Sequence, residues 1–270
     1  MDNQAAGGLA VEGVSVEFGG LLALDAVSLE CRVGEVVGVI GPNGAGKTTL
    51  FNVVCGFVRP TSGRLVLNGR TLVHHRPHDL ARLKVARTLQ GVGLVPGLTI
   101  LENVMLGAQS LLKADFLSAL LGAWRSSQEE TRCRRRSRAL LDELGIGEFA
   151  GWYPGALPYG VQKRASLARA LIADPALLLL DEPASGLSSD DMDELGGYLK
   201  SLSSRMGVLL VEHHMDLVMS TCDRLVVLNF GRVIAGGTPN EVSADPEVTR
   251  AYLGEEVRRV PDTEGPGPDA

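Results

Sequence analysis

Near its start the chain alternates with a period of two: Val14, Val16 and Phe18 are apolar, Ser15 and Glu17 polar, and Gly19-Gly20 then breaks the pattern. That is a half-buried strand running into a turn. Residues 27–32 predict a second strand. Val36–Ile40 is an apolar run rich in β-branched residues, the kind that fills a parallel strand buried on both faces. A glycine-rich turn follows, and residues 46–55 suit a helix, so the order is strand, loop, helix. Leu177–Asp181, 208–212 and 225–228 are again short apolar runs, each preceded by helix-compatible sequence. Together they predict an α/β chain with a largely parallel core sheet. Between residues 91 and 159 strand signals vanish, while 100–110 and 128–144 carry helical spacing, which predicts an inserted helical lobe. From Glu255 onward Pro261, Gly265, Pro266, Gly267 and Pro268 stand among charges, and residues 255–270 are expected to be a loose tail.

Composition narrows the class. At 270 residues, with 45% hydrophobic and 21% charged, the chain fits one large globular domain and is neither disordered nor fibrous. No apolar run approaches the roughly 18–20 residues a bilayer span needs. The first residues lack the basic stretch and apolar core of a secretory signal, so a cytoplasmic chain is expected. Its four cysteines are scattered without a Cys-x-x-Cys pair, against a zinc site or disulfide framework. A net charge of −6 disfavours a general nucleic-acid binder, and no nucleic-acid partner is expected.

The chemistry begins at residue 41. Gly41-Pro42-Asn43-Gly44-Ala45-Gly46-Lys47-Thr48 has the spacing of a phosphate-binding loop and lies between a buried strand and a helix. Its glycines let backbone N–H groups curl toward phosphate oxygens, and the positive end of the next helix adds to them. Lys47 is expected to reach the β- and γ-phosphates, and the Thr48 hydroxyl to hold Mg²⁺. Far along the chain, the run of leucines 177–180 ends in Asp181-Glu182, where a purely structural strand would go on apolar. Asp181 is the expected second anchor for Mg²⁺. Glu182, next along a strand whose side chains alternate, is the expected general base for an attacking water. The chain has no Asn-Lys-x-Asp guanine reader, which weakens a GTPase.

These residues resemble an ATP-binding-cassette (ABC) transporter ATPase, in the order of that family. Residues 41–49, through Thr49, are similar to its Walker A segment. Arg87-Thr88-Leu89-Gln90 is similar to the Q-loop, Leu157-Pro158-Tyr159-Gly160-Val161 to the signature, Leu177–Asp181 with Glu182 to Walker B, Ser185-Gly186-Leu187-Ser188 to the D-loop, and Val211-Glu212-His213 to the switch-histidine strand. The resemblance implies the P-loop NTPase fold of ABC ATPases over residues 9–254, with an N-terminal antiparallel β region and a helical subdomain at about 91–160. It implies ATP and Mg²⁺ as ligands. Gln90 would join the metal and the water, His213 would hydrogen-bond the γ-phosphate, and Phe18 would stack on adenine. Pro158, Tyr159, Gly160 and Val161 would face the ATP of a second cassette. Implied partners are that second ATPase, two transmembrane permeases and, through the complex, an extracytoplasmic solute-binding protein, at the cytoplasmic face of the membrane.

Finer features, including Phe18-Gly19-Gly20-Leu21-Leu22, Glu212-His213 with Met215-Asp216-Leu217, and Ala251-Tyr252-Leu253-Gly254-Glu255, resemble the ATPase subunits of branched-chain amino acid importers. Urea importers and the lipopolysaccharide-export ATPase share the resemblance, and a soluble cassette without a membrane partner is the alternative of another class. Intact Glu182 and His213 argue against a non-hydrolysing scaffold. The chain departs from the family where Pro158 and Val161 replace the usual serine and glutamine, and where Ser188 replaces aspartate. Because a proline lacks both hydroxyl and N–H, the expected assembly is a heterodimer with a cassette of fuller signature. His74, His75 and His78 are read as a solvated loop, the arginines at 132, 134, 135, 136 and 138 as a solvated helix face, and 111–124 as an amphipathic packing helix.

Overall fold

The computed structural model describes residues 7–88, 91–108 and 123–258. The chain runs β1 (Gly8–Phe18), β2 (Leu21–Arg32), β3 (Val36–Ile40), α1 (Lys47–Val54), β4 (Ser62–Leu67), β5 (Arg70–Leu72), β6 (Val85–Arg87) and α2 (Ile100–Leu106). It continues through α3 (Ala123–Glu143), α4 (Tyr159–Leu171), β7 (Leu177–Asp181), α5 (Ser189–Ser203), β8 (Gly207–Val211), α6 (Met215–Thr221), β9 (Arg224–Asn229), β10 (Arg232–Gly237), α7 (Pro239–Ser243) and α8 (Pro246–Arg258).

The N-terminal strands form an antiparallel sheet in the order β2-β1-β4-β5. Phe18 pairs with Leu21 across a two-residue turn, and Gly19 and Gly20 both take positive φ there, the conformation that matches a tight turn to the strands' twist. The second sheet is six-stranded, β10-β9-β3-β8-β7-β6. Its β6, β7, β8, β3 and β9 are parallel, and only the edge pair β9–β10 is antiparallel.

The unbroken apolar runs have a simple cause in two cores. Val37, Val39, Leu177, Leu179, Leu209 and Val211 face one core, shared with Phe51 of α1 and with Val16 and Leu24 of the N-terminal sheet. Their neighbours Val36, Ile40, Leu178, Leu180, Val208 and Leu210 face the other, under α2–α5. Alternate side chains of one strand therefore feed opposite layers. The helical lobe is fixed by a residue that no pattern singled out. Asn103 of α2 is fully buried; it accepts from the Val95 N–H at 2.7 Å and donates to the Val95, Leu98 and Thr99 carbonyls, tying the approach segment to the helix.

Strands β4, β5, β6 and β10 lie outside the apolar runs: β5 and β6 have three residues each, β10 is a sheet edge, and the inner strand β4 opens on the exposed Ser62-Gly63-Arg64. Helix α8 runs past Gly254 to Arg258, so the start of the expected tail is helical, and the rest of it lies outside the described residues. So do residues 111–122 of the expected packing helix. All four cysteines are buried and free. The arginine-rich face of α3 is laced with ion pairs, Arg134–Glu130, Arg136–Asp174 and Arg138–Asp142, as a solvated face should be. Among the described residues no helix is long and apolar enough to cross a membrane.

Candidate functional site

Because β3, β6, β7 and β8 are parallel, their C-terminal ends lie along one edge of the sheet, where ligands of open α/β sheets sit. That edge gathers the loop 41–46 after β3, Thr88 after β6, Asp181 and Glu182 at the end of β7, and Glu212 and His213 after β8.

The loop is pressed close to its neighbours. A Cβ at Gly41 would overlap the Leu228 carbonyl, and one at Gly46 would come within 2.9 Å of the Ala23 carbonyl. Gly44 has open space but a φ of 77°, a conformation that favours glycine. The Ala45 carbonyl accepts from the Gly231 N–H at 2.9 Å, anchoring the loop to the β9–β10 turn. Gly46 is the N-cap of α1, whose first turn has neither a capping side chain nor an acid. Its terminal N–H groups and dipole thus suit an anion. The Lys47 Nζ donates to the Gly41 and Pro42 carbonyls at 2.6 and 2.8 Å, folded along the loop. Thr48 and Asn43 are exposed, and Thr49 is half-buried beside them.

Burial, reinforced by the charges of Glu182 and Glu212, raises the Asp181 carboxyl above its ordinary range against the opposing pull of Arg87. Glu182 sits in the left-handed region at a φ of 48°, uncommon for a residue with a side chain and concentrated at functional sites. Its N–H donates to the Val211 carbonyl at 2.8 Å, while its own carbonyl accepts from the Lys163 Nζ of α4 at 3.3 Å. The Lys163 amine is pulled down by burial, against the pull of Glu212 and Glu182. Glu182 Oε1 lies 3.7 Å from His213 Nδ1. The structure therefore brings together Lys47, Asp181, Glu182 and His213 at the sheet edge, whereas Gln90 lies outside the described residues.

Sequence reasoning passed over Glu212. It follows the all-apolar β8 and is only 1% exposed. One oxygen accepts from the Ala184 N–H at 3.0 Å; the other accepts from the backbone N–H groups of His213 and His214 at 2.9 and 3.2 Å and meets His214 Nδ1 at 2.8 Å. Burial opposes ionisation of this carboxyl, but the bonds from His213, His214 and Ala184 outweigh it and hold the group below the usual carboxylate range. The signal in the sequence was an acid closing an apolar strand, the same signal that marked Asp181.

The segment 157–161 opens α4. Pro158 is its N-cap, with no capping side chain; Pro158 and Tyr159 are exposed and Gly160 is partly so. Val161 is 6% exposed and its side chain packs in the helical core, unlike those of the other three. As the N-cap, Pro158 costs this terminus a hydroxyl and one of the four N–H donors a helix start offers, leaving those of the first turn that follows it. Ser188 likewise has a local reason: it is the N-cap of α5, accepting from the Asp191 N–H at 3.2 Å. Arg164 of α4 reaches both Glu194 oxygens at 2.8 Å and ties the two helices. Phe18 stands half-exposed at the hairpin end and is not a core residue. His75 Nε2 is bound to the Val54 carbonyl at 2.9 Å, in a structural contact.

The sequence model of the ABC transporter family matches residues 24–185, and that of the branched-chain amino acid ATP-binding cassette transporter matches residues 232–258. The chain belongs to the ABC transporter ATPases. It is 41% identical to the high-affinity branched-chain amino acid transport ATP-binding protein LivG of Salmonella typhimurium over 92% of this chain and 98% of that one. The corresponding protein BraF of Pseudomonas aeruginosa is also 41% identical, with the same coverage. Among solved structures, the ADP conformation of an ATP-binding cassette of an ABC transporter superposes with a TM-score of 0.79 at 28% identity, over 93% of this chain and 100% of that chain.

Proposed function

We propose that the chain is the ATP-hydrolysing subunit of a transporter that imports branched-chain amino acids, docked on its permeases at the cytoplasmic face. What carries the hydrolytic part is the placing of Lys47, Asp181, Glu182 and His213 on one sheet edge beside an uncapped helix N-terminus. The amino acid class rests on the names of the relatives and on the match over residues 232–258.

In this scheme the loop N–H groups and Lys47 bind the phosphates of ATP, with Gly41, Pro42, Asn43, Gly44, Ala45, Gly46 and Thr49 lining the turn. Thr48 and Asp181, with Gln90, would hold Mg²⁺, an oxygen-donor set that suits this hard cation. The metal supplies charge neutralisation on the phosphates. Glu182 takes the proton of the attacking water, and His213 holds water and γ-phosphate in register. Phe18 stacks on adenine. Phe18→Ala is therefore expected to weaken ATP binding by about 1–3 kcal/mol, the usual worth of stacking a base on an aromatic ring. Titration with a fluorescent ATP analogue checks this, and unchanged affinity in the folded variant removes Phe18 from the site.

Each ATP is shared between one cassette's loop and the other's signature, so Pro158 acts on the partner's nucleotide. Its missing hydroxyl points to a working heterodimer with a second cassette. A self-dimer is then slow, and Pro158→Ser, adding one hydrogen bond to a charged phosphate worth about 1.5–3 kcal/mol, speeds it roughly tenfold or more. A self-dimer that already matches the full transporter, and is unmoved by Pro158→Ser, overturns this assembly.

The solute is tested by uptake. Loss of leucine, isoleucine and valine uptake in cells whose chromosomal copy carries Glu182→Gln supports the amino acid class, and unchanged uptake with loss of another solute replaces it.

A further inference from the structure

We propose that Glu212 is a positioning residue for hydrolysis, its buried carboxylate locking the loop that bears His213 to the loop that follows Glu182. This rests on the assignment of Glu182 and His213 as the hydrolytic pair.

The division of labour between its two oxygens carries the inference. Oε2 takes the Ala184 N–H, in the turn two residues after Glu182. Oε1 takes the N–H groups of His213 and His214 and the His214 ring, and lies 3.3 Å from His213 Nδ1. One planar group thus spans the ends of two neighbouring strands, and nothing in it can flex without breaking a bond on one side. Glu182 is held from both directions: its N–H is fixed to the Val211 carbonyl of β8, and the turn beyond it is fixed by Glu212. Its left-handed backbone is a conformation that persists only where surrounding bonds enforce it. The cost of the arrangement points the same way. A charge at 1% exposure is retained only when hydrogen bonds offset its desolvation, and here those bonds all go to the two loops that carry the reacting side chains. The His213 and His214 rings lie 4.2 Å apart, their Nδ1 atoms 3.3 and 2.8 Å from the same Glu212 oxygen, and His213 Nδ1 is also 3.7 Å from Glu182 Oε1.

The test is a double-mutant cycle on the full-length protein, reading phosphate release and, separately, ATP affinity by nucleotide titration. Glu212→Gln is expected to lower kcat about tenfold or more, with KM and ATP affinity within about twofold of the parent. In a His213→Ala background the same substitution is expected to cost clearly less than in the parent, because one of the two side chains it positions is gone. Gln turns an N–H₂ toward at least one backbone N–H; if it fails to fold, Glu212→Thr, which has an acceptor and no amide, replaces it in the same cycle. Equal losses in both backgrounds, a KM that rises as kcat falls, or no loss at all overturns the role. His213→Ala turning over at the parental rate is a separate outcome, and it strikes the assignment of His213 itself.

Discussion

Glu182→Gln is expected to bind ATP with nearly parental affinity while turnover falls by on the order of 10² or more, the usual loss when a positioned general base is removed. The substitution keeps the size and shape of the side chain. It also keeps the backbone, since Gln and Glu meet the same demand from a φ of 48° and the N–H bond to Val211 is untouched. What disappears is a carboxylate 3.7 Å from His213 Nδ1, and with it the acceptor for the water's proton. Because ATP still binds and is not consumed, the closed pair of cassettes should accumulate, visible as a shift to the larger species in size-exclusion chromatography with ATP. Phosphate release near the parental rate takes Glu182 out of this role.

Lys47→Ala is expected to fail one step earlier, at binding. The Nζ lies over the Gly41 and Pro42 carbonyls, so the ammonium is within the loop it serves. Replacing it removes charge-assisted hydrogen bonds to phosphate, each worth about 1.5–3 kcal/mol, so affinity should fall by about a hundredfold or more. The loop itself should survive, because its shape is set by Gly41, Gly44 and Gly46 and by the Gly231–Ala45 bond. Nucleotide titration alongside thermal unfolding separates the two effects: affinity collapses while the nucleotide-free melting temperature stays close to the parent's. ATP binding that survives in the folded variant contradicts the assignment.

The parts of the site that the sequence showed in advance are those written in local chemistry. A strand buried on both faces must be apolar at every position, so Val36–Ile40 and Leu177–Asp181 stand out, and a phosphate loop needs its glycines at fixed spacing. Strands β5 and β6, of three residues each, hold too few positions for any period to show. Facing was hidden as well. Val161 shares its motif with three residues that meet solvent, yet the turn of α4 rotates its side chain into the core. The left-handed backbone of Glu182 has no trace in the sequence, because bonds that surround it, to Val211, from Lys163 and between Ala184 and Glu212, come from residues far along the chain. Glu212 carried the same mark as Asp181, an acid after an apolar strand, and was masked by the histidine beside it. Ser188, a departure when set against the family pattern, is an ordinary helix cap when set in its fold.

Hydrolysis at this edge is expected to drive solute import. The most direct measurement is uptake of labelled leucine by cells whose only copy of this chain is parental or carries Glu182→Gln, both at equal protein level, with an unrelated solute as control. Leucine uptake that falls to background in the variant, with the control solute unchanged, is the result this account predicts. Leucine uptake at the parental rate in the variant would contradict it.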